Sequence, residues 1–206
     1  MRKLHVALGL VSVACSSGCY SYSNFQSAKL LEPGRTSITP SASYNTFQEP
    51  GGSGDGEIDD WVLDFQIRGG VTPRFELGAK FSRIRTEDGF QFIAIDPKVA
   101  LEPGHLAFSC PFGTFFGNGI ESDLQVHPTL IARWPLEPGR SELNAAFKLL
   151  LFYTDPDSDA LVAFNVGPRI SSDLDRWAIQ PELGLLFNPG DDGYFLQFGV
   201  GVTVSP

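Results

Sequence analysis

The chain has 206 residues, the length of one all-β domain or one large mixed domain. Its mean hydropathy of −0.02 and 19% charged residues argue against both a bundle of membrane-spanning helices and a disordered chain. The formal net charge of −9 disfavours nucleic acid as a partner, because binding to phosphates needs clustered Lys and Arg.

The N-terminal residues have the layout of a bacterial export signal. Met1, Arg2 and Lys3 form a basic start, residues 4–14 are mainly apolar, and small residues follow up to Cys19. The apolar run is too short for a membrane helix, which needs about 20 residues. We therefore predict a signal peptide over residues 1–18.

Ser17-Gly18-Cys19 resembles the lipobox of bacterial lipoproteins, although Ser16 stands where that family usually has Leu. The resemblance implies that Cys19 starts the mature chain and carries the lipid. Ordinary cleavage after Gly18 would instead leave Cys19 as a free thiol. The residue after the cysteine is Tyr20 and not Asp. In that family, the absence of Asp at this position implies sorting to the outer membrane. We interpret the polar residues 19–34 as a periplasmic tether.

From Arg35 onward, apolar and polar residues alternate with the period of two that is typical of strands. The strands are about 10–14 residues long, close to the roughly 9–11 that a membrane-barrel strand needs and longer than most globular strands. This pattern predicts an all-β fold over residues 35–206, an up-and-down antiparallel transmembrane β-barrel of about ten strands. The predicted strands are 35–46, 61–70, 75–84, 91–101, 105–115, 123–134, 141–154, 161–171, 177–187 and 193–204.

The connections alternate between short turns and mostly longer, acidic loops. The tetrad Leu-Glu-Pro-Gly occurs at 31–34, 101–104 and 136–139, each time before an odd-numbered strand. Pro-Gly at the centre fits a type II turn, in which Gly supplies the positive φ angle. Short periplasmic turns and longer extracellular loops are typical of bacterial outer-membrane barrels, and an even strand number agrees with them. We therefore expect the short turns, the N-terminus and both ends of the barrel to lie on the periplasmic side.

The apolar face is expected to point outwards, towards lipid. Across the ten strands it carries one charge, Arg83, which lies at a strand end. Aromatic residues at strand ends predict girdles at the two membrane interfaces. The predicted girdle residues are Tyr44, Trp61, Trp134, Tyr153, Trp177 and Tyr194.

The opposite face mixes charged residues with Gly, Ala, Ser, Asn and Gln, and we expect it to line a narrow lumen filled by paired charges. Unpaired charges would be costly there unless water fills the interior. The predicted lumen network comprises Asp64, Arg68, Glu76, Lys80, Asp96, Lys98, His127, Arg133, Glu142, Lys148, Arg169 and Glu182.

Six prolines fit this pattern poorly, because Pro cannot donate a hydrogen bond to the sheet and a closed barrel has no edge. Bulges or imperfect closure would explain them. They are Pro40, Pro97, Pro111, Pro128, Pro168 and Pro181.

The search for chemistry finds one candidate pair, His127 with Asp123 four residues earlier on the same face, which could act as general base and orienting group. No Ser is placed beside it by the sequence, so a histidine of the lumen network is the simpler interpretation. The run of Asp residues at 155–159 lacks the Gly and the distal Glu of an EF-hand. The sequence indicates no catalytic residue, metal site or cofactor.

The architecture as a whole resembles small bacterial outer-membrane barrels of the Gram-negative cell envelope. The resemblance implies a structural, adhesive or narrow-pore role, and as partners outer-membrane lipids, lipopolysaccharide and the outer-membrane insertion machinery. Two alternatives stay open. One is an outer-membrane enzyme acting on lipid A or peptides. The other is a periplasmic lipocalin-like binder, which requires Leu63, Phe65, Leu143 and Phe147 to point inwards.

Overall fold

The computed structural model describes residues 22–48, 59–85, 90–117, 124–153, 160–190 and 193–206. These ranges contain strands and turns and no helix that is long and apolar enough to cross a membrane. The strand segments are β1 (Thr36–Gln48), β2 (Asp59–Thr72), β3 (Phe75–Ile84), β4 (Gln91–Glu102), β5 (Leu106–Ser109), β6 (Phe112–Phe116), β7 (Leu124–Val126), β8 (Thr129–Glu137), β9 (Ser141–Phe152), β10 (Leu161–Ile170), β11 (Trp177–Phe187) and β12 (Tyr194–Val204).

The strands form one closed antiparallel barrel. β5 and β6 continue each other as one stave beside β4, and β7 and β8 do the same beside β9, so the twelve segments make ten staves. The sheet closes because β1 pairs with β12 and β9 pairs with β10. The predicted fold class is confirmed, and its fifth and sixth strands correspond to the two interrupted staves.

Five of the six in-strand prolines share gaps in the sheet, whereas Pro40 lies opposite Phe65 in the β1–β2 pairing. Pro97, Pro111 and Pro128 lie side by side on adjacent staves, and their carbonyls accept hydrogen bonds from Cys110, His127 and Leu149. These gaps separate β5 from β6 and β7 from β8.

A second gap explains two more prolines. Between β10 and β11 the pairing passes from Val166–Leu183 to Ile170–Ile179 and skips the position where Pro168 would face Pro181. Placing two residues that lack an N–H opposite each other removes fewer hydrogen bonds than two separate gaps would.

The three Leu-Glu-Pro-Gly tetrads form equivalent turns at one end of the barrel, which we call the short-turn rim. Gly34, Gly104 and Gly139 have φ angles of 82°, 78° and 73°. In each turn the residue after Gly donates its N–H at 3.0 Å to the carbonyl of the tetrad's Glu. The predicted positive φ is confirmed. We call the opposite end the long-loop rim.

The apolar face of the barrel points outwards. In β2, Leu63 is 54% exposed while the adjacent Val62 is fully buried. Phe65 and Phe147 are also exposed. The lipocalin-like alternative requires Leu63, Phe65 and Phe147 to point inwards and is therefore wrong.

The inward face is polar over most of its length but apolar near the long-loop rim, which the sequence analysis did not predict. Buried side chains there form a cluster around Tyr22, which we call the apolar cap. Its wall residues are Val62, Ile84, Phe92, Ala94, Phe115, Leu150, Leu161, Ala163, Leu186 and Phe195.

Candidate functional site: the filled lumen

Residues 22–31 lie inside the barrel, and we call them the lumen segment. The side chains of residues 22–28 are buried, with Tyr22 in the apolar cap and Leu31 near the short-turn rim. Glu32, Pro33 and Gly34 then form the first tetrad turn and lead into β1. The described part of the segment that we interpreted as a periplasmic tether thus passes through the lumen and runs antiparallel to β1.

Wall lysines bind the main-chain carbonyls of the lumen segment. Lys148 Nζ donates to the carbonyls of Tyr22 at 2.9 Å and Ser23 at 3.1 Å. Lys80 Nζ also donates to Ser23 O, at 3.2 Å, and Lys98 Nζ donates to the carbonyl of Ser27 at 3.2 Å. Hydrogen bonds to charged donors are shorter and stronger than neutral ones, so these contacts hold the segment firmly.

Wall carboxylates bind its main-chain amides. The two oxygens of Glu182 accept hydrogen bonds from the N–H groups of Asn24 at 2.7 Å and Phe25 at 2.8 Å. Glu76 Oε2 accepts one from the N–H of Leu31 at 2.9 Å. The segment therefore obtains from side chains the backbone hydrogen bonds that a strand would obtain from a neighbour.

Two aromatic side chains fill slots left by glycines of the wall. The ring of Phe25 lies over Gly199 and Gly201 of β12, where an added Cβ would approach it to 2.6 Å and 3.0 Å. The ring of Tyr22 lies over Gly184 of β11 beside the amide groups of Asn165 and Gln197, and an added Cβ would come within 2.9 Å of all three side chains. Phe25 also has a φ of 44°, a conformation that is rare for a bulky residue and must be held by its surroundings.

Polar side chains of the segment add a second set of contacts. Ser23 Oγ donates to Asp64 Oδ2 at 2.6 Å, and Gln26 Nε2 donates to Asp96 Oδ2 at 2.8 Å. These acids belong to the predicted lumen network, so the segment completes that network instead of only occupying space.

The described part of the wall contains one buried ion pair, Lys80 Nζ with Asp64 Oδ1 at 3.6 Å, and two larger buried clusters. Arg68 pairs with both Glu76 and Asp96, and Lys98 Nζ lies 2.9 Å from Glu76. Removing one member of such a cluster leaves a buried charge uncompensated, at a cost of about 3–5 kcal/mol.

The second cluster centres on Glu142. It accepts from Arg133 at 2.5 Å and from Arg169 at 3.3 Å, close to the short-turn rim. Arg133 also donates to the carbonyl of Gly104, which ties the cluster to a tetrad turn.

All twelve residues of the predicted lumen network line the interior. Ten are buried, and Arg133 and Arg169 are half-buried at the short-turn end. His127 is buried as well, with Nε2 at 3.0 Å from Gln125 Oε1 and its ring stacked on Phe92. The Asp123 predicted as its partner lies outside the described residues, as do Cys19 and the acidic run at 155–159.

The lumen segment ends at a polar mouth. Lys29 Nζ binds Asp175 Oδ1 at 2.5 Å across the short-turn rim, and this hydrogen bond lowers the pKa of the Asp175 carboxyl. Between the segment and the wall lies a cavity of about 80 Å³, lined in part by Arg35, Thr39 and Thr203. Within the described ranges no group of three or more His, Cys, Asp or Glu residues is arranged to hold a metal ion.

The predicted girdle residues lie at the strand ends. At the long-loop rim Trp61 and Tyr153 are exposed, and Tyr44 lies with its ring centroid 5.4 Å from that of Trp61. Trp134 and Trp177 are exposed towards the short-turn rim.

Between the rims the outer surface is formed by exposed aliphatic and Phe side chains, which we call the apolar belt. Its residues include Leu63, Phe65, Ile67, Phe81, Ile93, Ile95, Phe147, Phe164, Val166, Leu183, Phe198 and Val200.

The sequence reasoning missed the lumen segment, Tyr22 and Phe25 above all. Two signals for it were present. Gly184, Gly199 and Gly201 face inwards on neighbouring strands, which leaves room for a bulky occupant. The tetrad at 31–34 is the same turn that reverses the chain between barrel strands, so the residues before it run antiparallel to β1.

No protein-family profile matches the chain, and no curated protein sequence matches it significantly. Solved structures similar to it are β-barrels of low sequence identity. The translocator domain of autotransporter NalP from Neisseria meningitidis is 10% identical, with a TM-score of 0.48 over 97% of this chain and 95% of that one. An outer-membrane channel from Pseudomonas putida F1 is 11% identical, with a TM-score of 0.48 over 89% and 100%. The attachment invasion locus protein Ail of Yersinia pestis is 11% identical, with a TM-score of 0.38 over 84% and 99%.

Proposed function

We propose that this protein is a bacterial outer-membrane β-barrel with a structural or adhesive role, whose lumen is sealed. The observation that carries the proposal is the combination of an apolar belt around a closed barrel with an interior of buried ion pairs and a bound lumen segment. A lipid-facing exterior and a polar, occupied interior are the arrangement expected of a small membrane barrel.

The sealed interior favours a structural role over solute passage. The apolar cap packs across the interior near the long-loop rim, and the buried residues of the lumen segment lie between it and the short-turn rim. The charges that would attract ions in an open pore are bound by one another or by the main chain of the segment. The charge-filled lumen would thus add rigidity. We assign adhesion to the long-loop rim, because the belt leaves only the two rims in contact with water and the longer loops of such barrels face the outside of the cell.

We also propose that Cys19 is acylated after removal of residues 1–18. Three residues span at most about 11 Å, and Tyr22 lies at the end near the long-loop rim. With the lumen segment bound, the acyl chains would therefore enter the membrane from that rim. A lipid in the periplasmic leaflet would require the segment to leave the lumen. Palmitate labelling of the wild type against Cys19→Ala tests acylation, and the outcome that rejects it is equal labelling.

Outer-membrane lipids, lipopolysaccharide and the insertion machinery are the proposed partners. The belt supports the first, since its exposed aliphatic and aromatic side chains match acyl chains.

Membrane fractionation followed by planar-bilayer recording tests the function. We expect the protein to resist carbonate extraction, to migrate differently in gels before and after boiling, and to give no nanosiemens conductance. A soluble, monodisperse protein with native β-content in buffer without detergent would overturn the membrane assignment. Nanosiemens conductance would overturn the sealed lumen.

A further inference from the structure

The contacts of the lumen segment resemble those of a bound peptide more than those of a barrel strand. Residues 22–31 belong to no strand. The barrel sheet is closed by β1–β12 and needs no residue of the segment to complete it. The hydrogen bonds described above that join the segment to the wall all involve side chains projecting from the wall.

Most of these contacts are made by the main chain of the segment. Residues 22–25, 27 and 31 bond wall side chains through a carbonyl or an amide. Such contacts recognise the backbone of any extended chain and are indifferent to most side chains.

The two glycine slots supply the side-chain selectivity. Tyr22 fills the slot at Gly184, and Phe25 fills the slot at Gly199 and Gly201. Their spacing requires an occupant with aromatic residues three positions apart.

The charges of the wall would be costly without an occupant. Glu182 and Lys148 are both buried. Glu182 accepts one hydrogen bond from the wall, from Asn165 Nδ2 at 3.1 Å, and two from main-chain amides of the segment, while Lys148 donates to two main-chain carbonyls of the segment. A wall that placed charges only to fill space would pair them with one another, as Arg68 and Glu76 are paired.

We propose that the barrel lumen is a binding site for an extended polypeptide with aromatic side chains three residues apart, recognised mainly through its main chain, and that residues 22–31 occupy this site in cis. The same site accepts a separate peptide of that class when the cis segment is detached. The proposal goes beyond the sealed-barrel function and does not depend on the membrane, because it can be tested in detergent.

The test uses the full chain with a protease site inserted at residues 32–34, which are exposed at the short-turn rim. The folded protein is cut, unfolded in urea, and refolded in detergent with an excess of fluorescent peptide corresponding to residues 22–31. The uncut chain, treated in the same way, controls for refolding. We expect the labelled peptide to co-purify with the refolded barrel.

Three modified peptides distinguish main-chain from side-chain recognition. Alanine at Asn24, whose side chain donates to the carbonyl of Gln26 within the segment, should weaken binding by less than about 10-fold. N-methylation of the amides of Asn24 and Phe25, which removes both hydrogen bonds to Glu182, should weaken it by more than about 100-fold. Alanine at Tyr22 and Phe25 should also weaken it strongly, because both slots are left empty.

Two results would overturn the proposal. One is refolding of the uncut chain but no capture of the parent peptide by the cut chain, which would make the segment an inseparable part of the core. The other is equal binding of the N-methylated and parent peptides, which would place recognition in the side chains.

Discussion

The carboxylate of Glu182 in β11 accepts the main-chain N–H of Phe25 at 2.8 Å, although the two residues are 157 positions apart in the chain. The same carboxylate also holds the N–H of Asn24. One side chain thus fixes the middle of the lumen segment against the wall, close to where Phe25 adopts its rare positive φ.

Glu182→Gln should destabilise the protein by about 3 kcal/mol. The amide nitrogen of Gln cannot accept a hydrogen bond, so one backbone N–H loses its partner, and buried cations lose a compensating charge. Urea unfolding in detergent measures the change. Glu137→Gln, at an exposed turn residue, is the control and should change stability by less than about 0.5 kcal/mol. Equal effects of the two substitutions would contradict the assigned role of Glu182.

Gly199→Ala should destabilise the protein by about 1–3 kcal/mol, because the new Cβ would lie 2.6 Å from the ring of Phe25. Most of this loss should disappear when Phe25→Ala is added, since the two residues compete for one space. A double-mutant cycle from urea unfolding measures the coupling. Gly69→Ala is the matched control in β2, where the nearest atom to an added Cβ is 4.0 Å away. Strict additivity of the Gly199 and Phe25 substitutions would exclude the slot.

Phe65→Arg should destabilise the protein by about 2–4 kcal/mol when it is folded in lipid vesicles, because Phe65 lies at the middle of the apolar belt. Leu136→Arg, on the outer face near the short-turn rim, should cost only about 0–1 kcal/mol. Reversible unfolding from vesicles measures both values. Similar costs at the two depths would argue that the belt does not face lipid.

The link between Lys29 and Asp175 should contribute to stability at neutral pH and lose its effect in acid. The lowered pKa of the folded state means that the contribution is present above the unfolded-state pKa of about 4 and is lost as the pH falls through the folded-state value. Asp175 is mostly exposed, so solvent limits the contribution to at most about 1 kcal/mol. The free energies of unfolding of the wild type and of Asp175→Asn should differ at pH 7 and be equal near pH 2. A difference that persists at pH 2 would show that the ion pair is not its source.

The barrel could be predicted from the sequence because each stave obeys a local rule. Alternation in residues 61–68 places Leu63 and Phe65 on one face and Asp64 and Gln66 on the other, and a closed sheet leaves no freedom to reverse that choice in one strand. The tetrads identified one rim, since Pro-Gly has few turn geometries available. The sequence marks the prolines as exceptions but does not explain them, because the gaps shared by five of the six depend on the register between staves.

The lumen segment could not be recognised in the same way. Its residues 22–31 have no period, and most of its hydrogen bonds involve backbone atoms that every residue possesses. A short polar sequence of this kind is therefore easily interpreted as a tether.

The apolar cap is equally hard to predict from the sequence, for a related reason. Val62 and Leu186 occupy inward positions near strand ends, where the alternation between apolar and polar residues breaks down.

The tight turn at residues 32–35 has a consequence for how the molecule is assembled. It attaches the lumen segment directly to β1, and β1 closes the barrel by pairing with β12. Because residues 32–35 alone separate the two, we expect the segment to be in position beside β1 before β1 and β12 pair. A closed sheet offers an extended chain no route through its side, so early placement of the segment would remove the need for one.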